Sequence, residues 1–73
     1  MIKTQTNVYD SSTIKASTYE YDTKNFYVVF VHATYRYIDV PAEVYQEFAN
    51  AESQGIALNG LIKGKFEFEK LEE

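Results

Sequence analysis

The sequence predicts a small α+β domain in which a three-stranded antiparallel meander is packed by one amphipathic helix. Residues 26–31 are all aromatic or β-branched and carry no charge, which is typical of a central strand. A proline at position 41 is followed by apolar residues at helical spacing, and a glycine at position 55 ends that pattern. A chain of 73 residues suffices for one such domain, with a marginal core.

The three predicted strands span residues 12–21, 26–32 and 34–40. The first partly alternates between apolar and polar residues, whereas the second is apolar on both faces. Polar turn clusters at 22–25 and 32–34 leave connections too short for a crossover, so the strands are expected to pair antiparallel, with 26–32 in the middle.

The domain itself is expected to span residues 12–70. Residues 1–11 are polar and unpatterned, which predicts a poorly ordered lead-in, and the acidic residues 71–73 predict a frayed tail.

The predicted helix covers residues 41–54. Proline suits the first helical position, because the amide there has no intrahelical partner. Apolar residues recur at i, i+4 and i+7, with Tyr45 alongside them: Val44, Phe48 and Ala51. This face should cover one side of the sheet.

The segment after the helix has two interpretations. Asn59-Gly60 between apolar residues favours a hairpin, or Asn59 caps a short helical turn. Residues 65–69 then alternate as a strand does.

Composition excludes several classes of protein. The chain has no cysteine and one histidine, so it lacks a thiolate metal site, a cysteine nucleophile and a histidine-rich metal site. No glycine-rich phosphate loop and no paired-carboxylate spacing is present, so we expect neither an enzyme nor a cofactor. No apolar stretch is long enough to span a bilayer, and we expect a soluble, cytoplasmic protein.

Charge is unevenly distributed along the chain. Residues 1–38 carry a net charge of +1 and six of the seven tyrosines, whereas residues 39–73 carry a net charge of −5. This asymmetry predicts two distinct surfaces, one aromatic and nearly neutral, the other acidic.

The direction of Tyr35 and Tyr37 depends on the turn before them. A loop with an even number of residues places both tyrosines on the sheet face of Phe26 and Val28. A loop with an odd number places them on the face of Tyr27. One helix cannot cover both faces, so the other face needs the N-terminal segment, the C-terminal segment of Phe66 and Phe68, or another molecule. This suggests a homodimer or a partner surface.

The chain resembles the KTSC domain family, named from the C-terminus of some lysyl-tRNA synthetases and found also in small proteins of bacteria and their phages. The resemblance covers residues 8–70 and rests on a Ser-x-Ile strand, a central Tyr-x-Tyr, a Val-Pro helix start, an Ala-x-Ser-x-Gly helix end, an Asn, an Ile-Lys and an aromatic: Ser12 to Ile14, Tyr35-Arg36-Tyr37, Val40-Pro41, Ala51 to Gly55, Asn59, Ile62-Lys63 and Phe66. The chain departs from the pattern at Ala33, where the family favours Gly, and at Ala57-Leu58, where it has bulky aromatics.

The resemblance implies a small α+β fold and a suggested role in RNA binding. Flat side chains on a strand stack with unpaired bases while cations contact phosphates, so the candidate nucleic-acid-binding residues are Tyr35, Arg36, Tyr37, Lys63 and Lys65. The alternative is that the two tyrosines pack in the core or at an interface. The acidic net charge argues against nucleic acid, because phosphate contacts with basic side chains supply most of the affinity.

The rival hypothesis is a protein–protein interaction module. Glu43 and Glu47 lie one turn apart on the predicted helix and are the candidate partner-docking residues. Such an acidic face suits docking of a phage-borne regulator or inhibitor on a basic host protein, and a homodimer is the other form of this hypothesis.

Overall fold

The computed structural model describes the backbone of residues 3–72 and the side chains of residues 3–71. Residues 1, 2 and 73, at the outer ends of the predicted lead-in and tail, lie outside the described residues. The architecture is α+β, as predicted from the sequence: an antiparallel sheet packed on one face by short helices.

The sheet has five strands rather than the three predicted, and their spatial order follows the chain order. The strands are β1 (Thr4–Val8), β2 (Ile14–Glu20), β3 (Asn25–Phe30), β4 (Thr34–Tyr37) and β5 (Phe68–Glu72). The central three confirm the predicted meander with shorter bounds.

The two additional strands form the edges of the sheet. The expectation of a poorly ordered lead-in over residues 1–11 is corrected, because Thr4–Val8 pair with β2, and Leu71 of the predicted tail lies within β5. Polar residues such as those of β1 are common on an edge strand, where one side faces solvent and local composition carries little signal.

The turn that joins paired residues of β3 and β4 contains an even number of residues. The amide of Phe30 donates to the carbonyl of Ala33 at 2.7 Å, and Val28 pairs with Tyr35. Tyr35 therefore lies on the face of Val28 and Phe30, which is the face that the helices pack against.

The predicted helix 41–54 is shorter in the structure, and a second helix follows it. α1 spans Ala42–Ala49 and α2 spans Gln54–Ala57, which continues into a π-helical turn at Leu58–Ile62. The Ser53 hydroxyl accepts the Ile56 amide at 3.4 Å, so Ser53 starts a new helix where the pattern predicted the end of the first. Residues 56–62 are helical rather than a hairpin, but the predicted cap is wrong, because Asn59 lies inside the π-helical turn and Ser53 caps α2.

The core lies between α1 and the β2–β3 half of the sheet. Tyr19, Phe26, Tyr45 and Phe48 are at most 1% exposed, and we call these four residues the core cluster. Tyr19 and Tyr45 stack with ring centroids 4.7 Å apart, and Phe26 and Phe48 meet edge to face at 5.3 Å. Phe48 was predicted to be buried, but Tyr45 rather than Val44 is its buried neighbour on α1.

Candidate functional site

An open groove of about 640 Å³ lies beside the β3–β4 turn, on the helix side of the sheet. Four aromatic side chains line it, and we call them the groove cluster: Phe30, Tyr35, Tyr37 and Phe68. Lys63, Lys70 and His32 also line the groove. The groove thus combines aromatic rings with basic side chains.

Strand register brings the groove cluster together. Tyr37 pairs with Phe68, and Tyr35 pairs with Lys70 on the adjacent β5. Residues directly opposite in an antiparallel ladder share one face of the sheet, so β4 and β5 present these side chains to the same space. Lys63 enters from the segment that follows the π-helical turn.

The rings of the groove cluster are in mutual contact. Tyr35 lies 5.3 Å from Phe30 edge to face and 5.4 Å from Phe68, measured between ring centroids. Tyr35 and Tyr37 are nearly parallel, at 6.3 Å and 19°. These distances are within the range of favourable aromatic pairs, so the cluster holds its rings in fixed orientations.

Exposure differs sharply among these rings. Phe68 is 56% exposed, Tyr35 is half-buried, and Tyr37 is only 3% exposed. Burial raises the pKa of the Tyr37 hydroxyl, with a further contribution from Tyr35. Phe68 and Tyr35 therefore offer accessible ring surface, whereas Tyr37 is a wall residue whose ring is covered by its neighbours.

The structure separates the residues that the sequence grouped as nucleic-acid-binding. Tyr35, Tyr37 and Lys63 line the groove. Arg36 points to the opposite face of the sheet, where its guanidinium forms an ion pair with Glu69. Lys65 lines a separate shallow depression with Asp39. Arg36 and Lys65 therefore do not join the tyrosines.

The two candidate docking residues lie elsewhere. Glu43 and Glu47 are exposed on α1 and do not line the groove. In the part of the chain with described side chains, neither carboxylate forms an ion pair.

Sequence reasoning did not assign four groove residues: Phe30, His32, Phe68 and Lys70. The alternation over residues 65–69 was a usable signal for Phe68, because it predicted a strand there. The pairing of that strand with β4 was the missing step.

Some other kinds of site are absent from the described residues. No group of three or more His, Cys, Asp or Glu side chains among them is placed to hold a metal ion. Nor is any helix in the described part of the chain long and apolar enough to cross a membrane.

The sequence profile of the KTSC domain matches residues 10–66. This chain belongs to the KTSC domain family. A KTSC domain protein from Yersinia pestis, known from its crystal structure, superposes with a TM-score of 0.88 at 34% identity, covering 94% of this chain and 99% of that one. The KTSC resemblance drawn from the sequence is confirmed.

Two relatives differ in length. The chain is 40% identical over 63 residues to a lysine–tRNA ligase of Nostoc punctiforme, spanning 85% of this chain and 11% of the ligase. It is 38% identical over 58 residues to a protein of Tsukamurella paurometabola, spanning 78% of this chain and 87% of that protein. The KTSC match ends at residue 66, so Phe68 and Lys70 lie beyond the matched region.

Proposed function

We propose that this KTSC domain is a non-catalytic RNA-binding module that takes unpaired nucleotides in the groove. The observation that carries the proposal is the charge of the groove. The whole chain has a net charge of −4, yet among the described residues that line the groove two are lysines and none is Asp or Glu. An anion that also carries a flat ring is the ligand that such a lining fits.

The accessible aromatic rings are the second feature of the groove that suits a nucleotide. Phe68 and Tyr35 expose ring surface at the groove. Stacking of a base on an aromatic side chain contributes about 1–3 kcal/mol per base and requires that the base be unpaired. Exposure of more than half of a phenylalanine has an unfavourable hydration cost in the free protein, and a stacked base would remove it.

RNA is the favoured nucleic acid because of the relatives. One of them is a lysine–tRNA ligase, whose name denotes action on tRNA. The matched segment is a small part of that protein, so the ligase supports the choice of RNA without specifying which RNA this chain binds.

Lys63 and Lys65 provide a matched pair for the test. Both are exposed lysines in the same segment, but only Lys63 lines the groove. Binding of fluorescently labelled single-stranded RNA would be followed by anisotropy at low and at moderate salt. Each phosphate contact contributes about 0.7 to the slope of log K against log salt for single strands. We expect Lys63→Gln to weaken binding and to reduce this slope, whereas Lys65→Gln leaves both unchanged.

A second pair of variants tests stacking. Phe68→Ala removes an exposed groove ring, and Ile56→Ala removes an exposed apolar side chain that does not line the groove. We expect a loss of RNA affinity for Phe68→Ala alone. No RNA binding by the unmodified protein even at low salt, or equal losses within each pair of variants, would overturn the proposal.

A protein partner is the second candidate function. The observation that favours it is a pair of exposed carboxylates on α1, Glu43 and Glu47, which form no ion pair with any described side chain. Docking on a basic partner would be lost in Glu43→Gln/Glu47→Gln and kept in Lys63→Gln. For a homodimer, the test is sedimentation of the protein over a range of concentrations.

A further inference from the structure

The tyrosine hydroxyls of the core cluster all have partners. The Tyr19 hydroxyl donates to the Val40 carbonyl, and the Tyr45 hydroxyl accepts a hydrogen bond from the Asn7 side chain at 2.5 Å. This is the ordinary state of a buried tyrosine, since a buried polar group without a partner is unfavourable.

Tyr37 is the exception among the buried tyrosines of the described chain. It is 3% exposed, comparable with Tyr19 and Tyr45 at 1%. Its hydroxyl nevertheless makes no hydrogen bond to any described residue. The fold has buried the ring of Tyr37 without supplying a partner for its polar end.

The Tyr37 hydroxyl is not sealed inside the protein. In the described residues, the only side-chain nitrogen or oxygen that is both inaccessible to water and without a partner is Nε of Arg36, on the other face of the sheet. The residual exposure of Tyr37 therefore includes its hydroxyl. Tyr37 lines the groove, so the groove is the space through which its hydroxyl would reach a ligand.

The faces of the Tyr37 ring are less available than its hydroxyl. Tyr35 lies nearly parallel to the ring, and Phe68 lies 5.7 Å away at 43°. With these neighbours and 3% exposure, the ring has no surface on which a base can stack. Phe68 and Tyr35 are left for stacking, and Tyr37 can contribute only a polar contact.

We propose that the Tyr37 hydroxyl is the base-reading group of the groove, which forms a hydrogen bond with the polar edge of a nucleobase stacked on Phe68 and Tyr35. A phenol hydroxyl both donates and accepts, so it matches base carbonyl, ring nitrogen or amino groups. This inference rests on the proposed RNA binding and adds a role for Tyr37 different from stacking.

The test uses Tyr37→Phe, which removes one oxygen and keeps the ring. The probes are a short oligouridine and a ribose-phosphate chain of equal length that has abasic sites throughout. Because a net hydrogen bond contributes about 0.5–1.5 kcal/mol, we expect Tyr37→Phe to weaken oligouridine binding on the order of two- to tenfold. Binding of the abasic chain should be the same for both proteins, since it offers no base edge.

Tyr27→Phe is the matched control. Tyr27 is a half-buried tyrosine that pairs with Arg36 on the opposite sheet face, and its hydroxyl also has no partner among the described residues. We expect its removal to leave both affinities unchanged. Urea denaturation of both variants checks that each remains folded.

The outcomes separate the two proposals. If the unmodified protein binds no RNA, the proposed function fails and the base-reading role fails with it. If the protein binds oligouridine and Phe68→Ala weakens that binding, while Tyr37→Phe binds as tightly as the unmodified protein, the proposed function stands and the base-reading role is wrong. An equal loss of affinity for the abasic chain would also overturn it, because the hydroxyl would then contact the backbone.

Discussion

The core cluster and the groove cluster lie on the same side of one sheet, and both consist of phenylalanine and tyrosine. They differ in burial and in the hydrogen bonding of their hydroxyls. In the core cluster, Tyr19 and Tyr45 are covered by α1 and by their neighbours, and their hydroxyls have partners. In the groove cluster, Phe68 is largely exposed, and the hydroxyl of buried Tyr37 has no partner among the described residues.

This difference shows which half of the sheet face is covered by the chain itself. α1 carries Tyr45 and Phe48 onto Phe26, which closes the β2–β3 half of the sheet. On the β4–β5 half, Tyr35 and Phe68 meet solvent in the groove. Closure stabilises the domain, and the open half leaves the rings of Tyr35 and Phe68 accessible to the ligand proposed above.

The largest expected difference between the two clusters appears when one aromatic ring is removed from each of them. Phe48 is fully buried and contacts Tyr9 and Phe26 edge to face, so Phe48→Ala should lower the free energy of unfolding by about 3–5 kcal/mol through the cavity it leaves. Phe68→Ala, at an exposed ring, should cost about 1 kcal/mol or less. Urea denaturation measures both.

A loss below about 0.5 kcal/mol for Phe48→Ala would show that α1 does not cover the core cluster as described. A loss for Phe68→Ala equal to that for Phe48→Ala would remove the distinction between the two clusters.

The next effect concerns alkaline pH. Burial raises the pKa of the Tyr19 and Tyr45 hydroxyls above the usual value of about 10. The unfolded chain then loses these protons at lower pH than the folded chain does. Their contribution to stability is fully present below pH 10 and is lost as the pH rises through the folded pKa.

Urea denaturation at pH about 8 and about 11 tests this expectation, with Tyr19→Phe as the comparison. The variant should lose less stability than the unmodified protein over this interval, because it has one fewer buried hydroxyl to ionise. An identical loss in both proteins would contradict the assignment of Tyr19.

The smallest expected effect on stability comes from removing a single tyrosine hydroxyl from each cluster. Tyr19→Phe leaves the Val40 carbonyl without this donor and should cost about 1–3 kcal/mol of unfolding free energy. Tyr37→Phe removes a hydroxyl without a partner in the described residues, so the change should stay within about 0.5 kcal/mol. Thermal and urea denaturation of the two variants under identical conditions decide the point. Equal costs would show that the hydroxyl of Tyr37 is bonded in the free protein.

Local pattern predicted much of this fold. The central meander, the helix start at Pro41 and the burial of Phe48 all follow from apolar periodicity and from residues with strong backbone preferences. The predicted helix extended too far, because α1 ends at Ala49 and Ser53 caps a second helix. Such a break changes the backbone path without changing the apolar pattern.

The candidate site was predicted only in part. Tyr35, Tyr37 and Lys63 do line one groove, but Arg36 lies between the two tyrosines in sequence and on the other side of the sheet in space. Strand alternation requires this separation once one of the tyrosines is placed. Lys65, two residues after Lys63, lies in another depression.

The amino-acid sequence was sufficient for the KTSC family, the α+β class and the order of the central elements, because these depend on short-range spacing and local conformational preference. The tertiary structure decided the two edge strands, the meeting of Phe68 with Tyr35 and Tyr37, and the hydroxyl of Tyr37 that no described residue satisfies. β1 pairs with the nearby β2, and its polar composition carried little signal. The β4–β5 contacts depend on which strand pairs with which, and in what register, across separations of about thirty to forty residues. Cross-strand pairing at that distance is chosen by the packing of the whole domain rather than by any single segment.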